Sequence, residues 1–93
     1  MIASFGDRLT EEFFHGRARR FPWQAVEVIA VRKLDMLNAA KELRDLAIPP
    51  ANRLEALKGG LKGYHSIRVN QQFRVVFKWA DGAAHEVRIV DYH

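Results

Sequence analysis

The chain has 93 residues, 48% of them hydrophobic, with six Gly, three Pro and no Cys; that suits one globular domain spanning 1–93 and excludes a multidomain or disordered chain. The missing thiols exclude disulfides, thiolate nucleophiles and thiolate metal sites together. Fifteen Lys and Arg against eleven Asp and Glu give a net charge of +4, which favours a polyanionic partner over a neutral one.

Met1–Phe5 is short, apolar and cut off by Gly6, so it reads as an edge or joining strand of a larger sheet. Asp7 is placed to cap a first helix over about 7–15, with Leu9 and Phe13 four apart, Glu11 and Glu12 early, and His15-Gly16 as a helix ending. Pro22 suits the first turn of a second helix, along which Val26, Ile29, Ala30, Leu34 and Leu37 recur at helical spacing. That helix is expected to fray or turn around 41–47, and Ile48-Pro49-Pro50 cannot continue it.

The longest apolar run, Val28-Ile29-Ala30-Val31, is far shorter than the roughly 18 residues of a membrane span. The N-terminus has no signal-like apolar stretch, so a cytoplasmic protein without membrane contact is expected.

Beyond Leu54 the hydrophobic period changes from helix to strand. Phe73, Val75, Phe77 and Trp79 alternate with Arg74, Val76 and Lys78, and Val87 and Ile89 alternate with Glu86, Arg88 and Val90. Asn70-Gln71-Gln72 separates strands 64–69 and 73–79, and Ala80-Asp81-Gly82 separates the latter from 83–91, each read as a three-residue hairpin loop. With those loops Val69 faces Phe73 and Trp79 faces Ala83. Arg68 then stands opposite Arg74, and Arg74 opposite Arg88, on the face away from the helices. Like charges directly opposed across strands are destabilising. A row of three arginines therefore suits a bound polyanion better than it suits stability, since guanidinium forks match phosphate oxygens, although a solvated sheet face would show the same alternation.

His15, His65 and His85 are scattered without ligand spacing, so no metal site is expected. His65 and His85 fall on the core parity and read as hydrogen-bonded core or rim histidines. Arg17-Ala18-Arg19-Arg20 reads as a solvated loop, and Phe21 and Trp23 as packing groups. The ending Asp91-Tyr92-His93 places three protic side chains together at the close of the last strand.

Three segments, Arg53-Leu54-Glu55-Ala56-Leu57-Lys58-Gly59, Gly63 through Phe77, and Val87-Arg88-Ile89-Val90-Asp91-Tyr92-His93, together resemble the HigB-type toxins of bacterial toxin–antitoxin systems, within the RelE/ParE superfamily. The resemblance implies an α+β, RelE-like fold: an N-terminal strand and two helices packed on one face of a mainly antiparallel four-stranded sheet. It also implies a ribosome-dependent endoribonuclease acting on mRNA and held inactive by a helix-turn-helix, HigA-like antitoxin. By position, the family's functional residues fall on Lys58, Arg74, Asp91, Tyr92 and His93. Some members carry a histidine where this chain has Glu55, so the proton work of that histidine would pass to His93, Tyr92, Lys58 or Glu55 itself. A ParE-like toxin that inhibits gyrase without catalysis, or a non-catalytic RNA-binding module, are the competing readings.

Cleavage of RNA by its own 2′-hydroxyl needs a proton acceptor, positive charge on the phosphorane oxygens and a donor to the 5′-oxygen, with no cofactor. His93 is expected as the acid/base, Lys58 and Arg74 as electrostatic clamps, Tyr92 as an orienting, proton-transfer or stacking group, and Asp91 as an orienting carboxylate. Arg68, Arg88 and Lys62 are expected further out, on backbone phosphates.

Overall fold

The computed structural model describes residues 1–92. Helix α1 (Arg8–Phe14) starts as expected at Asp7, whose side chain accepts the Thr10 amide at 2.7 Å, and ends at His15. Gly16 follows with φ +75°, a left-handed conformation that only glycine adopts freely. Helix α2 (Glu27–Ala39) begins later than Pro22 suggests, because a 3₁₀ turn (Gln24–Val26) intervenes. Its buried face is Ala30, Lys33, Leu34 and Leu37. Ile29, expected on that face, is 38% exposed. The centre of the stripe runs through Ala30, Leu34 and Leu37, and Ile29 lies one position, about 100° of helical rotation, to its side.

After α2 the chain makes two further 3₁₀ turns, Leu43–Ala47 and Pro50–Asn52. The first is held by Asp45, whose carboxylate accepts the amides of Lys41 and Glu42 at 3.0 Å each. These two donors hold the Asp45 pKa below its ordinary value.

Four strands follow, β1 (Glu55–Ala56), β2 (Tyr64–Arg68), β3 (Phe73–Ala80) and β4 (Ala83–Asp91), in an antiparallel sheet ordered β1-β2-β3-β4. The N-terminal segment lies along the outer edge of β4 as two parallel bridges, Ile2 to Ala84 and Phe5 to Val87, rather than a continuous strand. Between the bridges the Ser4 hydroxyl accepts the Glu86 amide at 2.9 Å. Ile67, Val75, Phe77, Val87 and Ile89 meet Phe13, Trp23, Leu34 and Leu37 in the core. Phe21 and Trp23 pack there against Phe13, with ring centroids 4.6 and 5.3 Å from it. Among the described residues no helix is long and apolar enough to cross a membrane.

The β2/β3 register agrees with the sequence reading: Arg68 pairs with Arg74 and Ile67 with Val75. The β3/β4 register does not. The turn has two residues, Asp81 (φ +54°) and Gly82 (φ +72°), so Ala80 meets Ala83 and Trp79 meets Ala84. Two positive φ values mark the tight hairpin turn whose twist matches that of the strands. A one-residue slip alone would send β4's apolar residues to the wrong face. The ladder shifts again between Val76 and Lys78, where β4 carries Glu86 at φ +54°, and the added residue restores the parity. Arg88 therefore pairs with Val76 and Arg74 with Val90, two positions out of the expected alignment. His85, before the bulge, pairs with Lys78 instead of taking the core parity, and a ring nitrogen lies 3.1 Å from the Ala80 carbonyl.

Gly6 sits where a side chain would collide with this bulge: a Cβ there would stand 2.7 Å from the Glu86 carbonyl oxygen and 3.3 Å from Arg88 Cδ. Gly6→Ala is expected to destabilise the chain by about 1–3 kcal/mol, read as a drop in the urea midpoint. An unchanged midpoint would show that the bulge yields without cost.

Candidate active site

Arg74 leaves the start of β3 on the face away from the helices, yet it is only 8% exposed. Its cover comes from the segment that follows Pro49-Pro50. The turn Pro50–Asn52 ends at Arg53, which adopts a left-handed backbone (φ 44°, ψ 54°), and the chain then enters β1 along the edge of β2, with Glu55 opposite Ser66. This path brings two acceptors to a guanidinium that already meets a third on β2. Arg74 Nε donates to Ser66 Oγ at 2.8 Å, Nη2 donates to the Arg53 carbonyl at 2.7 Å, and Nη2 lies 3.3 Å from Glu55 Oε1. The aromatic ring of Tyr92 stands 5.5 Å from the guanidinium carbon, a cation–π contact. Burial pulls the Arg74 pKa below the ordinary arginine value; Glu55 and Tyr92 oppose that shift and Arg68 and Arg53 reinforce it. An arginine stays charged through such a shift.

The cradle forms one wall of a cleft of about 390 Å³ lined by Arg53, Arg68, Asn70, Gln71, Arg74 and Tyr92. The β2–β3 turn contributes Asn70 and Gln71 to its lining. Asn70 Oδ1 accepts the amides of Gln72 and Phe73 at 2.9 and 2.7 Å, a side-chain clasp that fixes the loop. The C-terminal end of β4 is tied to the same loop, through the Tyr92 amide on the Gln72 carbonyl at 2.7 Å and Gln72 Nε2 on Asp91 Oδ2 at 3.0 Å. Three guanidinium groups and a phenol facing one open cleft present donors and positive charge with little apolar surface, an arrangement complementary to phosphate rather than to an apolar ligand.

Of the residues expected from the sequence, Arg68, Arg74 and Tyr92 meet in this cleft, and Asp91 adjoins it through Gln72. Lys58 and Lys62 are exposed at either end of a 3₁₀ turn (Gly59–Leu61) beyond β1 and do not line it. Arg88 is directed elsewhere: its guanidinium carbon lies 5.9 Å from the ring of Tyr64. The same ring carries Lys78 Nζ at 4.9 Å. Glu86 holds this group together, accepting from Tyr64 Oη at 2.9 Å and pairing with Lys78 Nζ at 3.2 Å. Those contacts lower the Glu86 pKa and raise that of Lys78. His93 lies outside the described residues. Arg53 and the two loop amides were not singled out from sequence; the double proline before Arg53 was legible as a helix stop, but nothing in it marks the left-handed turn that aims the next carbonyl at Arg74. Among the described residues no three His, Cys, Asp or Glu side chains are grouped to hold a metal ion.

The family model described as the RelE-like toxin HigB of type II toxin–antitoxin systems matches residues 3–93. Toxin HigB-1 of Vibrio cholerae is 46% identical over 86 residues, 90% of each chain. Endoribonuclease HigB of Proteus vulgaris is 33% identical over 94 aligned positions covering 100% of both chains. Among solved structures, the YoeB–YefM complex of Staphylococcus aureus superposes with a TM-score of 0.61 at 22% identity, over 100% of this chain and 98% of that one, which shows a common fold. The family-model match and the two HigB relatives show that the chain belongs to the RelE-like HigB toxin family of type II toxin–antitoxin systems.

Proposed function

We propose that this toxin is an endoribonuclease that cuts mRNA in the decoding site of the ribosome, in the cytoplasm, and is held inactive by a helix-turn-helix, HigA-like antitoxin. The observation that carries the reading is the Arg74 cradle: a guanidinium fixed by three acceptors, beside two more arginines and an aromatic ring, around an open cleft. A charge that is already oriented and desolvated stabilises a pentacoordinate phosphorane without reorganising during the reaction.

In the proposed reaction the 2′-oxygen attacks the adjacent phosphorus as its proton passes to a base. The phosphorane then breaks the bond to the 5′-oxygen, which takes a proton as it leaves. The products are a 2′,3′-cyclic phosphate and a 5′-hydroxyl. Arg74 binds the non-bridging oxygens, and Arg53 and Arg68 hold the flanking phosphates. Tyr92 stacks on the nucleotide and holds its ring against the Arg74 guanidinium. Glu55, where some relatives place a histidine, already engages Arg74, so the proton transfer is assigned to His93, next in the chain after Tyr92. Asp91 orients the terminus. Lys58 and Lys62 supply positive charge from the rim, and Arg88 contacts RNA only beyond the cleft.

Single-turnover cleavage on programmed ribosomes is expected to fall by about 10²–10³-fold in Arg74→Ala. Smaller losses are expected in Arg53→Ala and Arg68→Ala, and the smallest in Arg88→Ala, with ribosome binding measured alongside. Equal loss in Arg74→Ala and Arg88→Ala would contradict the placement of the cleft. Deleting His93 is expected to cost roughly two to four orders of magnitude in the same assay while the thermal melt stays close to the parent. Parental cleavage without His93 would return the proton transfer to Glu55, Tyr92 or Lys58. Naked mRNA should be cut far more slowly than mRNA on ribosomes, because a small domain with one short cleft has few means of holding single-stranded RNA in line. Equal rates would remove the ribosome from the account, and a parent protein that never cleaves but blocks gyrase would replace it.

A further inference from the structure

Lys33 is a charged residue on the buried face of α2, and it is 9% exposed. A lysine is rarely buried without a partner, since its ammonium loses hydration there. Its partner is Asn52: Lys33 Nζ donates to Asn52 Oδ1 at 2.6 Å. Asn52 is fully buried, and its amide nitrogen donates to the Leu46 carbonyl at 3.0 Å and contacts Met36 Sδ at 3.7 Å. One side chain thereby ties α2, the 3₁₀ turn Leu43–Ala47 and the turn Pro50–Asn52 to each other.

The residue directly after Asn52 is Arg53. Its left-handed backbone aims one carbonyl at Arg74 Nη2 and brings its own side chain to the cleft. A left-handed conformation is uncommon for a residue with a side chain and persists only where the surroundings hold it. The Arg53 amide is fixed by the Pro50 carbonyl at 3.1 Å, and the Asn52 amide by Pro49 at 2.9 Å. Only the Asn52 side chain, among these bonds, anchors the turn to the helical layer.

We infer that Lys33 and Asn52 are positioning residues for the reaction, setting the Arg53 turn and through it the orientation of the Arg74 guanidinium, although neither lines the cleft. The inference rests on the reading of Arg74 as the group that binds the reacting phosphate. A guanidinium displaced by a fraction of an ångström remains charged and keeps attracting RNA, but loses alignment with the phosphorane. Binding therefore survives while the chemical step slows.

Lys33→Met keeps an unbranched apolar stem in place and removes the ammonium; Asn52→Ser removes the reach to both neighbours. In either variant the nitrogen–proton NMR correlation of Arg74 Nε, which reports its bond to Ser66, is expected to shift and to exchange faster with solvent. The amides of Val87 and Ile89 in the sheet should stay in place. Single-turnover cleavage on saturating ribosomes should fall by about tenfold to a hundredfold, with ribosome affinity unchanged. The double variant should lose no more than the worse single one, because Lys33 acts through its bond to Asn52. Lys41→Met, an exposed lysine near the same turns, should change none of these. An unmoved Arg74 correlation in a folded variant, or single losses that multiply in the double, would overturn the inference. Should the parent prove not to cleave RNA, the proposed reaction fails, and the Arg74 correlation still tests the positioning on its own. With two independent variants, one that does not fold leaves the other to decide.

Discussion

The organisation of this molecule depends on one buried cation. A guanidinium withdrawn from water costs free energy unless its donors are matched, and Arg74 is matched by a hydroxyl, a backbone carbonyl and a carboxylate from three different segments. Ser66 comes from the neighbouring strand, Arg53 from a left-handed turn, and Glu55 from the two-residue edge strand. The requirement explains why a strand as short as β1 exists at all: pairing with β2 brings Glu55 opposite Ser66 and so above Arg74. It also explains why the face away from the helices is not simply solvated. Val76 and Ser66 on that face are fully buried, next to a charge that is nearly so.

The two hairpins show how one error in a sequence reading can be corrected by another feature of the chain. Alternation in 73–79 and 86–90 told correctly which residues face the core, because both the tight Asp81-Gly82 turn and the bulge at Glu86 move β4 by one residue, and two shifts preserve the face. Alternation carries no information about such paired shifts along the strand. The expected line of Arg68, Arg74 and Arg88 therefore keeps its face but loses its alignment. Arg68 still faces Arg74, while Arg88 pairs with Val76 and turns to Tyr64. His85 changed face for the same reason, lying in the short stretch between the two shifts.

What the sequence did not reveal shares a physical character. Arg53, Lys33 and Asn52 matter through backbone conformation and long-range partners: 19 residues separate Lys33 from Asn52, and 21 separate Arg53 from Arg74. Periodicity sorts residues by polarity and carries no signal that singles out a buried Lys33 or Asn52. The caps and turns that depend on local chemistry, such as Asp7 at the start of α1 and the proline stop after Ile48, were legible because donor and acceptor lie within a few residues of each other. The candidate site falls between these cases. Arg74 was singled out by the strand register and Asp91 and Tyr92 by the protic ending, resemblance to a family gave them their roles, and the structure adds the cradle that gives Arg74 its fixed geometry.

The central claim is that the cleft bounded by Arg53, Arg68, Arg74 and Tyr92 is where the reacting phosphate sits. The most direct measurement is a crystal structure of the toxin with a short RNA carrying a 2′-deoxy nucleotide at the cleavage position, so that attack cannot occur. The account predicts a phosphate oxygen within hydrogen-bond distance, about 3 Å, of the Arg74 guanidinium, with a base against Tyr92. RNA lying instead across Arg88 and Tyr64, with the cleft unoccupied, would contradict it.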